Sequence, residues 1–304
     1  MKVLISTSNF CEFSNSPIEI LLRNKFHVIK NPYGRKMTSD EIIDLAEDVD
    51  FVIAGTERYD SELFNKLSNL KTISRVGVGI DNIDLEFAKN HGINILKTNL
   101  SPSLAVAEFA ITLILSDLKR LIENIESAKS GKWKKKSGFL LSNKIIGIVG
   151  AGNIGKRFIQ LLSNFNNRFL IFDKYEDKDL KKEKNISYVS IKEVFKKSDI
   201  ISIHLPLTTE TKYLVDSKLL KLIKDDSLLV NTSRGEIIKE EDLFKILSEN
   251  SKIRAALDVF EFEPYNGPLM KLDNVTLTPH ISAYARETRV EMELEAVQNL
   301  INSI

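Results

Sequence analysis

The sequence predicts an α/β protein built from two doubly wound, parallel-sheet domains. Three observations carry that prediction. Apolar runs of four to six residues alternate with helix-patterned stretches from Lys2 to Lys97, and a second series of the same kind runs from Ile145 to Thr278. Such runs are strands buried on both faces, and β-α alternation places them in parallel sheets covered by helices. The two series are separated by a long apolar stretch that reads as helix, and 304 residues suffice for two cores.

In the first series Lys2–Ser6 reads as a strand and Pro17–Asn24 as a helix with proline in its opening turn. Phe26–Ile29 is the second strand. Thr38-Ser-Asp-Glu41 has capping-box spacing and opens a helix to about Glu47. Strands at Asp50–Ala54, Lys71–Val76 and Ile93–Lys97 alternate with helices at Asp60–Ser68 and Asp84–Asn90. From Ser103 to about Ser130 the pattern is one helix, apolar nearly all round in its first half, which predicts burial on several sides, between domains or subunits. The polar segment Gly131–Asn143 follows, with the single tryptophan, Trp133, as either an anchor under the loop or a subunit contact.

The second series has strands at Ile145–Val149, Phe169–Phe172, Ile186–Val189, Asp199–Ile203, Ser227–Asn231, Ile253–Asp258 and Val275–Thr278. Helices are expected at Asn153–Asn164, Ile191–Lys197, Asp216–Lys221 and Glu240–Glu249, and a last one from Ala283 to Ile304. The first strand stops at Gly150-Ala-Gly152-Asn153-Ile154-Gly155, a G-x-G-x-x-G followed by helical spacing. Gly152 would let the backbone approach a pyrophosphate, and the helix N-terminus would offer it N–H groups and positive dipole. The next strand ends in Asp173, about twenty residues on, where a dinucleotide site needs an acid for ribose hydroxyls.

Composition excludes several classes. Net charge is +1 with acids and bases mixed, so no global field favours nucleic acid or a membrane surface, and Lys132–Lys136 reads as a solvated loop. Cys11 is the only cysteine, which rules out an intrachain disulfide and a thiolate metal cluster and fits a reducing, cytoplasmic compartment. No apolar run approaches the roughly 20 residues of a membrane span. Met1 enters a strand at once, which predicts no signal peptide.

Residues just beyond the strands of an open α/β sheet are where chemistry is expected. His27 and His91 lie elsewhere and read as structural; His204 and His280 end strands of the second series. Asn231-Thr232-Ser-Arg234-Gly follows another strand, and Asp258-Val-Phe-Glu261-Phe-Glu263-Pro a third. An arginine, a carboxylate and a histidine on separate strand-end loops suit carbonyl reduction. The imidazolium protonates the developing alkoxide, the carboxylate fixes the ring tautomer and raises its pKa, and the arginine holds and polarises the substrate. Spacing alone leaves a surface ion-pair set as the other reading.

The ordered runs Gly150–Gly155, His204-Leu-Pro206, Asn231–Gly235, Asp258–Pro264 and Thr278-Pro-His-Ile-Ser282 resemble the D-isomer-specific 2-hydroxyacid dehydrogenase family, as does Ser74-Arg75-Val-Gly-Val78-Gly79-Ile-Asp-Asn-Ile-Asp84. The resemblance covers essentially the whole chain. It implies a Rossmann-type NAD domain at 99–282 and a flavodoxin-like substrate domain from 1–98 and 283–304, with a cleft between. It implies a dimer arm over 103–143 and a homodimer. His280 would be the acid/base, Glu263 its carboxylate partner and Arg234 the catalytic arginine. Val78 and Gly79 N–H groups, with the Arg75 side chain, would hold the substrate carboxylate. Asn153 and Ile154 would meet the pyrophosphate, Asp173 the adenosine ribose, and His204 and Pro206 the adenosine half. Thr232 and Asp258 would lie near the nicotinamide. Asp173 repels a ribose phosphate and so favours NAD over NADP, with Lys174 as a counterweight. No metal is implied.

Asn31–Lys36 and the Arg-Val-Gly-Val-Gly run look most like the phosphoglycerate dehydrogenase branch, which implies D-3-phosphoglycerate as substrate, with Arg58, Arg75 and Lys36 as candidate phosphate cations. Hydroxypyruvate or glyoxylate reduction is the alternative, and an NAD-sensing binding protein on the same scaffold is the rival of another class. Formate dehydrogenases carry glutamine where Glu263 stands. The segment Asn99–Val106 is about two residues shorter than the family's loop before Val-Ala-Glu108, which bears on substrate identity, and, with the sequence ending in a helix at Ile304, feedback control through an appended domain is not expected.

Overall fold

The computed structural model describes residues 1–99 and 102–304; Leu100 and Ser101, within the shortened Asn99–Val106 segment, lie outside the described residues. The chain forms two units, Met1–Pro102 with Tyr284–Ile304, and Ser103–Ala283.

In the first unit β1 (Lys2–Ile5), α1 (Ser16–Arg23), β2 (His27–Lys30), α2 (Ser39–Ala46), β3 (Phe51–Ala54), α3 (Ser61–Phe64), β4 (Thr72–Arg75), α4 (Leu85–Asn90) and β5 (Asn94–Lys97) follow one another. The strands pair in parallel in the order β2-β1-β3-β4-β5. All four residues of β3 are buried, as a central strand covered on both faces requires. The α2 start is fixed by a reciprocal capping box, Thr38 Oγ1 accepting from Glu41 N and Glu41 accepting from Thr38 N. The order reverses between β1 and β3, so the loops after those strands splay apart at the carboxyl edge.

The second unit contains α5 (Pro102–Leu118, of which Pro102 belongs to the first unit), α6 (Leu121–Lys129), β6 (Ile145–Val149), α7 (Asn153–Leu161), β7 (Arg168–Phe172), β8 (Ile186–Tyr188), α8 (Ile191–Lys197), β9 (Ile200–Ile203), α9 (Ser217–Leu220), β10 (Leu228–Asn231), α10 (Glu240–Glu249), β11 (Arg254–Leu257) and β12 (Val275–Leu277). Its seven strands are all parallel, in the order β12-β11-β10-β9-β6-β7-β8, and the reversal falls between β6 and β9. One face is covered by α5 and α7, through Ala110, Ile114 and Phe158. The other is covered by α8, α9 and α10, through Phe195, Leu220 and Leu243. The last helix, α11 (Arg286–Asn302), returns to the first unit. It buries Met292, Ala296, Val297 and Leu300; Ala296 O accepts from Ser74 Oγ at 2.7 Å, and Asn299 Nδ2 donates to Lys97 O at 3.1 Å.

Two expectations need correction. The helix over 103–130 is two helices, because Arg120 takes a left-handed conformation (φ 50°) between α5 and α6. Two contacts hold that end. Phe139 N donates to Leu118 O at 2.7 Å, and Asp117 accepts from the buried Arg254 Nε at 2.8 Å. The apolar belt of α5 fills the second unit's own core. Trp133, moreover, is 75% exposed and anchors nothing beneath its loop. Among the described residues no helix is long and apolar enough to cross a membrane, and no group of side chains is placed to hold a metal.

Candidate active site

The glycine turn after β6 is shaped by close approach. Gly150 has φ +99°, and a Cβ there would stand 2.9 Å from the His204 carbonyl. A Cβ on Gly155 would collide with Gly150 O, whereas one on Gly152 would meet nothing within 4 Å. Gly152 is the N-cap of α7 and, with Asn153, is exposed, so the open side of the turn presents the unpaired N–H groups of a helix start. Asp173, at the end of β7, clamps this turn: Oδ2 accepts from Ala151 N at 2.6 Å and Oδ1 from Tyr175 N at 2.8 Å. A carboxylate has about four lone-pair sites, so hydroxyl donors can still be accepted. Lys174 is drawn to Glu210 at 3.3 Å, leaving Asp173 to set the local charge.

His204 is buried, its ring 5.1 Å from that of Phe158 and its Nε2 2.9 Å from Ser202 Oγ. Among the described residues His204 Nδ1 and Thr232 Oγ1 are buried with no hydrogen-bond partner, while Pro206 is exposed. Orphaned polar atoms beside a glycine turn with an open face fit a polar dinucleotide laid along the carboxyl edge. Burial pushes the His204 imidazole down to about 4, so it is neutral at pH 7. Unfolding frees it to bind a proton at its ordinary value of 6.5. Stability is therefore full above pH 6.5 and falls as pH drops toward 4. Melting curves across this window should show Tm falling with acid, and less steeply in His204→Gln.

The chemistry-bearing groups meet beyond β10, β11 and β12. His280 Nδ1 lies 2.8 Å from Glu263 Oε2, each side chain 35% exposed. Glu263 Oε1 accepts from Phe260 N at 3.1 Å. Burial pushes the Glu263 carboxyl up, but the His280 hydrogen bond and charge, the Phe260 N–H and the charge of Arg234 outweigh it and hold the group below its ordinary value. Arg234 is half-buried and its Nη1 donates to Ser233 O at 2.7 Å. Its turn is built by Asn231, whose Oδ1 accepts from Ser233 N and whose Nδ2 donates to Arg234 O at 2.9 Å. A Cβ on the next residue, Gly235, would collide with the Phe260 carbonyl, so the arginine turn is packed against the loop that carries Glu263.

Asp258 is fully buried and serves a purpose the sequence did not suggest. Oδ1 accepts from Thr278 Oγ1 (2.6 Å) and Ile281 N (2.9 Å), and Oδ2 from Ser282 N (2.8 Å). These bonds grip the chain on both sides of His280, which has the left-handed φ of +55°, uncommon for a residue with a side chain. The carboxylate expected near the nicotinamide is thus committed to the histidine loop. Asn231, Thr278 and Ser282 were missed as supports; their only sequence signal is a small polar residue flanking each motif.

In the first unit the expected substrate loop follows β4. Arg75 is buried, and its Nη1 donates to Val76 O. Gly77 has φ +140°, and a Cβ there would collide with the Arg75 guanidinium. The arginine is therefore folded beneath the loop, and Val78 and Gly79 form its outward part.

A histidine paired to a carboxylate, an arginine beside them and a dinucleotide turn on one doubly wound sheet define a nicotinamide-dependent oxidoreductase. The model of the D-isomer specific 2-hydroxyacid dehydrogenase NAD binding domain matches residues 111–282. A glyoxylate reductase of Pyrococcus furiosus is 35% identical over 92% of this chain and 87% of its own. A hydroxypyruvate reductase of Thermotoga maritima is 34% identical over 88% and 89%. The crystal structure of a glyoxylate reductase from Paecilomyes thermophila superposes with a TM-score of 0.87 at 28% identity, covering 100% of this chain and 95% of that one. The chain belongs to the D-isomer-specific 2-hydroxyacid dehydrogenase family and is an NAD-dependent enzyme of that family.

Proposed function

We propose that this enzyme reduces hydroxypyruvate to D-glycerate and glyoxylate to glycolate. The observation that carries the reaction is the 2.8 Å His280–Glu263 pair beside Arg234. Bound NADH supplies the hydride to the carbonyl carbon. With Nδ1 held by ionised Glu263, His280 carries its transferable proton on Nε2 and delivers it to the carbonyl oxygen. Arg234 draws the substrate carboxylate and carbonyl toward that proton.

Phosphoglycerate, the substrate first expected, finds less support. Arg58 is exposed and turned to Asp60 at 3.2 Å, Lys36 is exposed, and Arg75 is folded under its own loop. Named relatives that reduce glyoxylate and hydroxypyruvate agree with this preference. NADH oxidation by the purified protein should be fastest with hydroxypyruvate or glyoxylate and at least tenfold slower with 3-phosphohydroxypyruvate, about the effect of one misplaced charge. Preference for the phosphorylated acid would restore the other reading.

We place the enzyme in the cytoplasm, as its single cysteine suggests. Leu121, Ile122, Ile125, Trp133, Phe139 and Leu140 are large apolar residues left exposed along α6 and the following loop, and they favour a homodimer through this arm.

A further inference from the structure

Glu261 stands two residues before Glu263 on the loop after β11, and the proton transfer leaves it without a part. Its carboxylate reaches another element instead. Oε1 accepts from Glu240 N, at the first residue of α10, at 2.7 Å. Glu240 Oε2 in turn accepts from Glu261 N at 2.6 Å. Two carboxylates and two backbone N–H groups thus close a ring of reciprocal, charge-assisted hydrogen bonds between α10 and the loop that carries Glu263. Tyr213 adds a donor, its hydroxyl lying 3.2 Å from Glu261 Oε2. The ring supplies what α10 lacks, because the side chain of Lys239, just before the helix, makes no capping bond. It also sets Glu261 beside a first turn that already bears Glu240, Glu241 and Asp242, against like-charge repulsion. Burial pushes the Glu240 carboxyl up, and the charge of Glu261 adds to the rise.

What the ring holds is the support of the histidine–carboxylate pair. Glu261 N and Phe260 O belong to one peptide unit. Its N–H is taken by Glu240, and its carbonyl lies so close to Gly235 that no Cβ fits there. The next N–H back along the chain, that of Phe260, donates to Glu263 Oε1 at 3.1 Å, while Glu263 Oε2 lies 2.8 Å from His280 Nδ1. The Phe260 ring stacks on that of Tyr265, with 4.3 Å between centroids, and so ties the two sides of Glu263 together. We propose that Glu240 is a positioning residue for the reduction: by fixing the Phe260–Glu261 peptide it keeps the Glu263 carboxylate where His280 meets it. The proposal rests on the roles given to His280 and Glu263 in the proposed reaction, and every group in it stands on the second unit. Glu240 acts through Glu263 and takes no part in the transfer itself.

The test is steady-state reduction of hydroxypyruvate with NADH by wild type, Glu240→Ala, Glu240→Gln, Glu263→Gln and the double variant Glu240→Ala with Glu263→Gln. Glu240→Ala leaves Glu261 N without its acceptor and should lower kcat about five- to tenfold, since a misplaced catalytic group loses rate steeply. KM for hydroxypyruvate and NADH affinity should stay within about twofold of wild type, because uniform binding is untouched. Glu240→Gln still offers an oxygen to Glu261 N and should hold kcat within about twofold of wild type. With Glu263→Gln there is no charge left to place, so adding Glu240→Ala should lower kcat by about twofold at most, the non-additivity of groups acting as one unit. Folded Glu240→Ala, melting within a few degrees of wild type, that keeps wild-type kcat overturns the proposal. So does a loss repeated in full on Glu263→Gln, or one that Glu240→Gln shares. If Glu240→Ala does not fold, Glu240→Asp, a methylene too short for Glu261 N, takes its place with the same expected results. Wild type that turns over no 2-oxoacid, or Glu263→Gln with wild-type kcat, overturns the underlying reading instead.

Discussion

Replacing His280 by alanine should lower kcat by about a hundred- to ten-thousandfold, the usual worth of a positioned general acid, with NADH affinity within a fewfold of wild type. The separation follows from the geometry. His280 stands on the loop after β12 and touches Glu263, whereas the glycine turn and Asp173 that face the dinucleotide lie beyond β6 and β7. Glu263→Gln should give a smaller loss of kcat, because an amide can still hold Nδ1 but brings no charge to the imidazolium. Its pH profile should also change. Glu263 is held below its ordinary value, so wild type keeps the ionised pair as pH falls through the usual carboxylate range. The stabilisation that pair gives is present above the unfolded carboxyl's pKa and lost as pH falls through the folded one. Stopped-flow single turnovers beside NADH fluorescence titrations separate chemistry from binding; equal losses in both would contradict the assignment.

The second large effect is expected at Asp258, through position alone. Asp258→Asn puts an NH2 where an oxygen now accepts from Ser282 N or from Thr278 Oγ1 and Ile281 N, leaving at least one buried donor unsatisfied at about 1–3 kcal/mol. His280 then loses the grip that holds its left-handed backbone. We expect kcat to fall at least tenfold, KM for the oxoacid to change less, and Tm to drop by several degrees. Asp258→Glu should not restore kcat, since a longer side chain cannot keep three bonds at 2.6–2.9 Å in a fully buried place. A variant that melts lower but turns over normally would show that the histidine loop holds itself.

Much of this was legible in the sequence, and the division is physical. Every strand is a local apolar run between polar turns, and all twelve form with ends shifted by a residue or two at most. Thr38 starts its helix with a capping box, short-range chemistry carried by four consecutive residues. The Gly150–Gly155 turn was legible for the same reason, its strand, glycines and helix being contiguous. What the sequence hid depends on distant partners. The break at Arg120 is set by Phe139 and Arg254, which no local pattern ties to α5. Asp258 was expected near the nicotinamide, and no local pattern tied it to the 278–282 loop that it holds. Arg58 looked like a phosphate ligand until it met Asp60.

The central claim is that this chain reduces a 2-oxoacid by delivering its proton from His280 at an NAD-type sheet edge. Its most direct test is the handedness of the product formed from hydroxypyruvate and NADH, read by chiral chromatography. D-glycerate, formed by wild type and abolished in His280→Ala, is the predicted result; L-glycerate, or product formation that survives the loss of His280, would contradict it.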